Sequence, residues 1–94
     1  MEKTLESNGV KITYRLPNVL EVYKLQGACG WGREGVNGYE MMAAILERTE
    51  PFIVKVEGAN GWEGCLNNRK LYDDLSGLAL SLVKTELDDA EKNS

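Results

Sequence analysis

Few residues in this chain could do chemistry, and their spacing decides how far each can be taken. Gly30-Trp31-Gly32-Arg33-Glu34-Gly35 matches the G-x-G-x-x-G pattern that lets a backbone approach a pyrophosphate. Such a site needs a strand directly before the glycines, a helix directly after them, and a parallel βαβ unit around both. Here the preceding segment reads as a helix, Trp31 would crowd the phosphate, and 94 residues are too few for the full fold. The segment is therefore read as a glycine-rich loop that presents Trp31. Cys29 and Cys65 are the two cysteines, and the chain has no histidine. Two cysteines do not complete a tetrahedral zinc site, and histidine-based triads and metal motifs are ruled out. Both thiols read as small, reduced, partly buried side chains. Glu47, Glu50, Asp73 and Asp74 could be drawn as acid–base pairs, but no pattern marks a pocket around them, so they read as solvated carboxylates. The sequence thus offers no catalytic, cofactor-binding or metal-ligating residue, and the expected function is non-enzymatic.

The balance of charge narrows the partners. Fifteen acidic residues against eleven basic ones give a net charge of −4. Binding to nucleic acid rests on lysine and arginine neutralising phosphates, so a nucleic-acid partner is not expected. The one basic pair, Arg69-Lys70, is offset by Asp73 and Asp74 within a helical turn. No apolar run approaches the roughly 20 residues of a membrane span. Met1-Glu2-Lys3-Thr4 does not lead into the apolar core of a signal peptide, and a cytoplasmic location is expected. The length fits one domain, which buries roughly 60–65% of its unfolded surface. An apolar fraction of 43% suits a globular core.

The elements that must position any binding residue follow from periodicity. Asn8-Gly9 suits a type I′ turn, in which both central residues take positive φ. Beyond it, Val10, Ile12, Tyr14 and Leu16 alternate with Lys11, Thr13 and Arg15, as in a half-buried strand. Three Asn-x-x-Glu segments, Asn18 to Glu21, Asn37 to Glu40 and Asn60 to Glu63, mark helix starts. The first helix is expected to turn Val19, Leu20, Val22 and Tyr23 inward and to end at Gly27, although residues 19–26 also fit a strand. The second carries Tyr39, Met42, Ile45 and Leu46 and ends before Pro51. Phe52-Ile53-Val54-Lys55-Val56 reads as a short strand, followed by a turn of helix with Trp62 and Leu66. The last helix places Leu71, Leu75, Leu78 and Leu82 in one stripe, widened by Tyr72, Ala79 and Val83. That ladder is too short for a coiled-coil seam and is expected to cover the sheet. Residues 88–94 lose the pattern and read as a disordered acidic tail after a folded core over 3–87. Lys24 to Trp31 echoes Lys55 to Trp62, which coincidence or shared loop chemistry explains better than a repeat. The expected fold is α+β: a small antiparallel sheet, made of an N-terminal hairpin and one short strand, covered by three to four helices.

Val10-Lys11-Ile12-Thr13-Tyr14-Arg15-Leu16-Pro17, with the capped helix after it, resembles the opening of tail assembly chaperones from long-tailed bacteriophages. Phe52-Ile53-Val54-Lys55-Val56-Glu57-Gly58, then Trp62-Glu63 and the leucine-rich helix, is similar to the same family. The resemblance spans most of residues 3–87, and the glycine-rich loop around Trp31 departs from it. It implies a cytoplasmic protein of virion morphogenesis that binds and solubilises the tape-measure protein, helps recruit the tail-tube protein, and often acts as a homo-oligomer. Trp31, Tyr39, Trp62, Leu75 and Leu82 would then make contact, as aromatic residues near loops and apolar residues of the last helix, although Trp62 reads first as a plug at the edge of the core. The alternative expectation is a small regulatory or inhibitor module that binds one folded protein through the Trp31 loop.

Overall fold

The structure is a computed structural model that describes residues 2–84, so the expectations for the acidic tail and for residues 85–87 lie outside the described residues. Strands β1 (Glu2–Ser7) and β2 (Val10–Arg15) form the hairpin, and β3 (Ile53–Glu57) adds to the far side of β2. Both pairings are antiparallel. Four helices accompany the sheet: α1 (Val19–Cys29), α2 (Gly38–Glu47), α3 (Gly61–Leu66) and α4 (Tyr72–Val83). Short 3-10 turns over Glu50–Phe52 and Arg69–Leu71 lead into β3 and α4. The α+β expectation therefore holds in its sheet topology and its helix complement.

Local chemistry explains the hairpin. Asn8 and Gly9 take φ of 50° and 81°, as a type I′ turn demands. That turn fixes the register, setting Ser7 opposite Val10 and Leu5 opposite Ile12. Val10, Ile12 and Tyr14 consequently all enter the core, each contributing about 1.5–3 kcal/mol by burial. Between β2 and β3 the register slips at Thr13/Tyr14, where Val54 is the extra residue. A bulge of this kind leaves one side chain unpaired, and Val54 is exposed. The hairpin tip is tied down on two sides. Ser7 Oγ donates to Asp74 of α4, and Asn8 Nδ2 donates to the Lys70 carbonyl at 3.0 Å. Gly58, with φ of 88°, comes so close to Gly9 that a methyl group there would overlap the Gly9 carbonyl oxygen.

Helix α1 differs from expectation in extent and in phase. It runs on past Gly27 to Cys29, and Gly30 supplies the left-handed cap with φ of 78°. Four glycines between residues 27 and 35 could each have ended it, and the inward side chains decide which one does. Leu25 and Cys29 are buried, Val22 and Gln26 are half-buried, and these four share one stripe of the helix. Gln26 Nε2 donates to the Val83 carbonyl at 2.8 Å and so docks α1 onto the end of α4. Val19, Leu20 and Tyr23, expected inside, face solvent at 62–74% exposure. The helical alternative for residues 19–26 wins because its start is capped from both directions. Asn18 Oδ1 accepts from the Glu21 amide at 2.9 Å, and Glu21 Oε1 accepts from the Asn18 amide at 2.9 Å.

The three Asn-x-x-Glu segments do open three helices, with falling completeness. Asn37 accepts from Tyr39 and Glu40 amides at 2.8 and 3.2 Å. Asn60 makes no side-chain cap at all. The echo between Lys24–Trp31 and Lys55–Trp62 is not a repeated unit, since its first copy is helix α1 and its second is strand β3. Only the positive-φ glycine before each tryptophan, Gly30 and Gly61, is shared.

Candidate functional site

An apolar groove between α2 and α4 is the leading candidate. Helix α2 contributes Tyr39, Met42, Ala43 and Leu46, which recur at i, i+3, i+4 and i+7 and so line one face. Helix α4 contributes Tyr72, Leu75 and Ser76 at i, i+3 and i+4. Leu66 at the end of α3, with Asn68 and Arg69, closes one end. The volume is about 530 Å³, within the range of sites that take a ligand or an anchoring side chain. The floor belongs to the core, since Leu75 is buried and Met42 and Leu46 pack against the buried cluster. The walls do not. Tyr39 is 81% exposed and Tyr72 is 66% exposed, two large aromatic rings standing in water across an apolar floor.

Helix α2 stays in place because both its ends are fixed. Asn37 caps the start, and at the far end Thr49, fully buried, donates its hydroxyl to the Ile45 carbonyl at 2.8 Å. Trp62 Nε1 then donates to the Leu46 carbonyl at 3.3 Å, so α3 also holds the end of α2. These bonds satisfy carbonyls that a helix end otherwise leaves open. The groove wall is thus held by hydrogen bonds at both ends of α2.

The structure separates the residues expected to make contact. Tyr39 lines the groove mouth and Leu75 its floor. Trp62 is 6% exposed and Leu82 is fully buried, so both are corrected from surface residues to core residues. The Trp62 ring fills the space under α2 and spends its one donor there, and Leu82 lies on the inner face of α4. Trp31 is half-buried against the core, its amide bonded to the Gln26 carbonyl at 3.0 Å, and it does not line the groove. The glycines around it join helix α1 to helix α2, not a strand to a helix, so the setting a dinucleotide site requires is missing. Tyr72, expected in the inward stripe, is turned outward instead. Met42, Ala43, Leu46, Leu66 and Tyr72 are groove residues that the sequence did not assign to a surface. A usable signal existed. Helix α2 is apolar on two faces, Tyr39-Met42-Leu46 and Met41-Ala44-Ile45, which is one face more than a single core contact uses.

A second concave region lies at the β2–α1 corner, lined by Glu21, Lys24, Leu25, Ala28, Arg48, Pro51 and Phe52. Glu21 is already committed to Arg15 there, and Arg48 donates to the Ala44 carbonyl at 3.0 Å. Arg15 donates to both Glu21 oxygens at 2.8 and 2.7 Å, and its guanidinium sits 4.7 Å from the centre of the Phe52 ring. The Arg15 bonds, followed by the Asn18 amide, hold the Glu21 carboxyl down at about 2, against an ordinary value of 4.5. Burial pushes the Cys65 thiol up. Among the described residues there is no group of three His, Cys, Asp or Glu side chains able to hold a metal, and no helix is long and apolar enough to cross a membrane. No protein-family model matches the chain, and comparison with curated proteins and with solved structures gave no match.

Proposed function

We propose that this chain is a non-enzymatic protein-binding domain that receives an apolar helical segment of its partner in the α2–α4 groove. The observation that carries the reading is the pair Tyr39 and Tyr72, both largely exposed on either side of an apolar floor. Tyrosine buries much area for little lost rotamer entropy, and paired helical ridges make the kind of groove in which amphipathic helices dock. With the resemblance to phage tail assembly chaperones, the partner proposed is the tape-measure protein, held soluble in the host cytoplasm until tail assembly displaces the chaperone. Net negative charge suits a protein that must keep an apolar client in solution. The competing module that binds through the Trp31 loop has less in its favour, because the ring that would anchor it already packs against the core.

The test is co-expression with the tape-measure protein of the same source. A soluble complex that is lost when Tyr39→Asp and Tyr72→Asp are combined supports both the activity and its location. A client that stays insoluble beside a well-behaved free domain rejects the chaperone reading.

A further inference from the structure

Among the described residues, strand β1 is a sheet edge with one side unpaired. Its register partners are all on β2, and no other backbone bond among the described residues reaches residues 2–7. Open edges of this length recruit further strands unless something opposes it. The two edges of this sheet differ in how strongly they oppose pairing. Strand β3 borders the irregularity at Thr13/Tyr14 and has exposed Val54 at the slip. Strand β1 is regular over all six residues and contains neither bulge nor proline.

We infer that β1 is a self-association edge, at which a second copy of this chain pairs antiparallel and extends the sheet to six strands. A strand pairs antiparallel with its own copy only about a two-fold axis perpendicular to the sheet. That axis keeps both core faces on one side. Directly opposed residues must then belong to the same face of the strand, so the axis passes beside a residue and not between two. Four such centres exist along the interior of β1. Centring on Lys3 sets lysine against lysine, and centring on Glu6 sets glutamate against glutamate. Centring on Thr4 sets Glu2 against Glu6 twice. Centring on Leu5 alone opposes no like charges.

The Leu5 register is also positively favoured. Leu5, half-buried at the rim of the core, meets Leu5 of the second copy and is covered by it. Thr4 meets Glu6. Lys3 lies on the core-facing side of β1, as its pairing with Tyr14 requires, and it meets Ser7 of the second copy. The Ser7 hydroxyl donates to Asp74, so the ammonium of Lys3 arrives beside a carboxylate already anchored at that spot. The charges along β1 thus select one self-pairing and oppose the other three. This edge is separate from the α2–α4 groove, so the dimer and the client site stand or fall independently.

Sedimentation equilibrium and a cysteine cross-link test it on the full chain. The protein is expected to show a monomer–dimer equilibrium. Thr4→Glu, on the exposed face of β1, puts glutamate opposite Glu6 in both halves and weakens the dimer by about ten-fold, and Thr4→Lys strengthens it by a similar factor. Leu5→Cys should oxidise to a covalent dimer faster than Thr4→Cys does, and Cys29 and Cys65 are buried and do not compete. A monomer at every concentration up to the solubility limit overturns the inference. A dimer indifferent to both Thr4 charge variants, or one that cross-links through Thr4→Cys in preference to Leu5→Cys, overturns it as well.

Discussion

The α2–α4 groove and the β2–α1 corner are both concave and both carry aromatic and charged side chains, yet they differ in how far those side chains are already paired. At the corner, Arg15, Asn18, Glu21 and Phe52 exhaust one another: two ionic hydrogen bonds, a reciprocal helix cap and a guanidinium over a ring. In the groove, Tyr39, Tyr72 and Leu66 face water across an apolar floor. Binding energy is still available where apolar area remains uncovered. A corner with its bonds made stabilises the fold, and a groove with apolar area exposed gains by covering it.

The sharpest way to break that contrast is to compare a ring beneath the groove with a ring at its mouth. Trp62→Ala removes a buried ring and leaves the space under α2 empty, at a cost of about 3–5 kcal/mol in urea unfolding. Tyr39→Ala should change stability by no more than about 0.5 kcal/mol. Equal costs would mean that the groove wall is part of the fold and not a free surface. At the corner, Asn18→Ala should cost about 1 kcal/mol, since it removes one half of a reciprocal cap. Asn60→Ala, at a helix start with no side-chain cap, should stay within about 0.5 kcal/mol.

The smallest effect is the pH dependence of the Glu21 pair. Its carboxyl titrates near 2 when folded, below its ordinary value of 4.5, so the unfolded chain takes up the proton first as pH falls. The stabilisation is complete above about 4.5 and fades between there and about 2. Glu21→Gln should flatten this part of the acid-unfolding curve, and by a modest amount, because the pair is open to solvent. A curve unchanged by the substitution would show that the corner is not closed by its ion pair.

How much of this was legible in the sequence depends on whether a feature is set by neighbours in the chain or by packing. The Asn8-Gly9 hairpin, the alternation of β2 and the leucine ladder of α4 are local patterns, and each appears where its pattern lies. The inward face of α1 was not local. Val19, Leu20 and Tyr23 are as apolar as Val22 and Leu25, and only the docking of Gln26 on Val83 and the position of Cys29 fix which side turns in. The groove was hidden for the same reason. Tyr39, Met42 and Leu46 form a stripe indistinguishable from a core stripe until Ile45 and Met41 take the core side of α2. Trp62 and Leu82 show the reverse error, since large apolar residues near loops or on a helix face can equally well be fully enclosed.

On the proposed function the groove, and not the corner or the Trp31 loop, receives the partner. The most direct measurement is amide chemical-shift mapping of the labelled domain titrated with soluble helical segments of the tape-measure protein. If the groove receives the partner, perturbations concentrate on residues 38–46 of α2 and on Leu66, Arg69, Tyr72 and Ser76, with Arg15, Glu21 and the residue 30–35 loop unmoved. Perturbations centred on that loop or on the outer face of α1, with the groove silent, would contradict it.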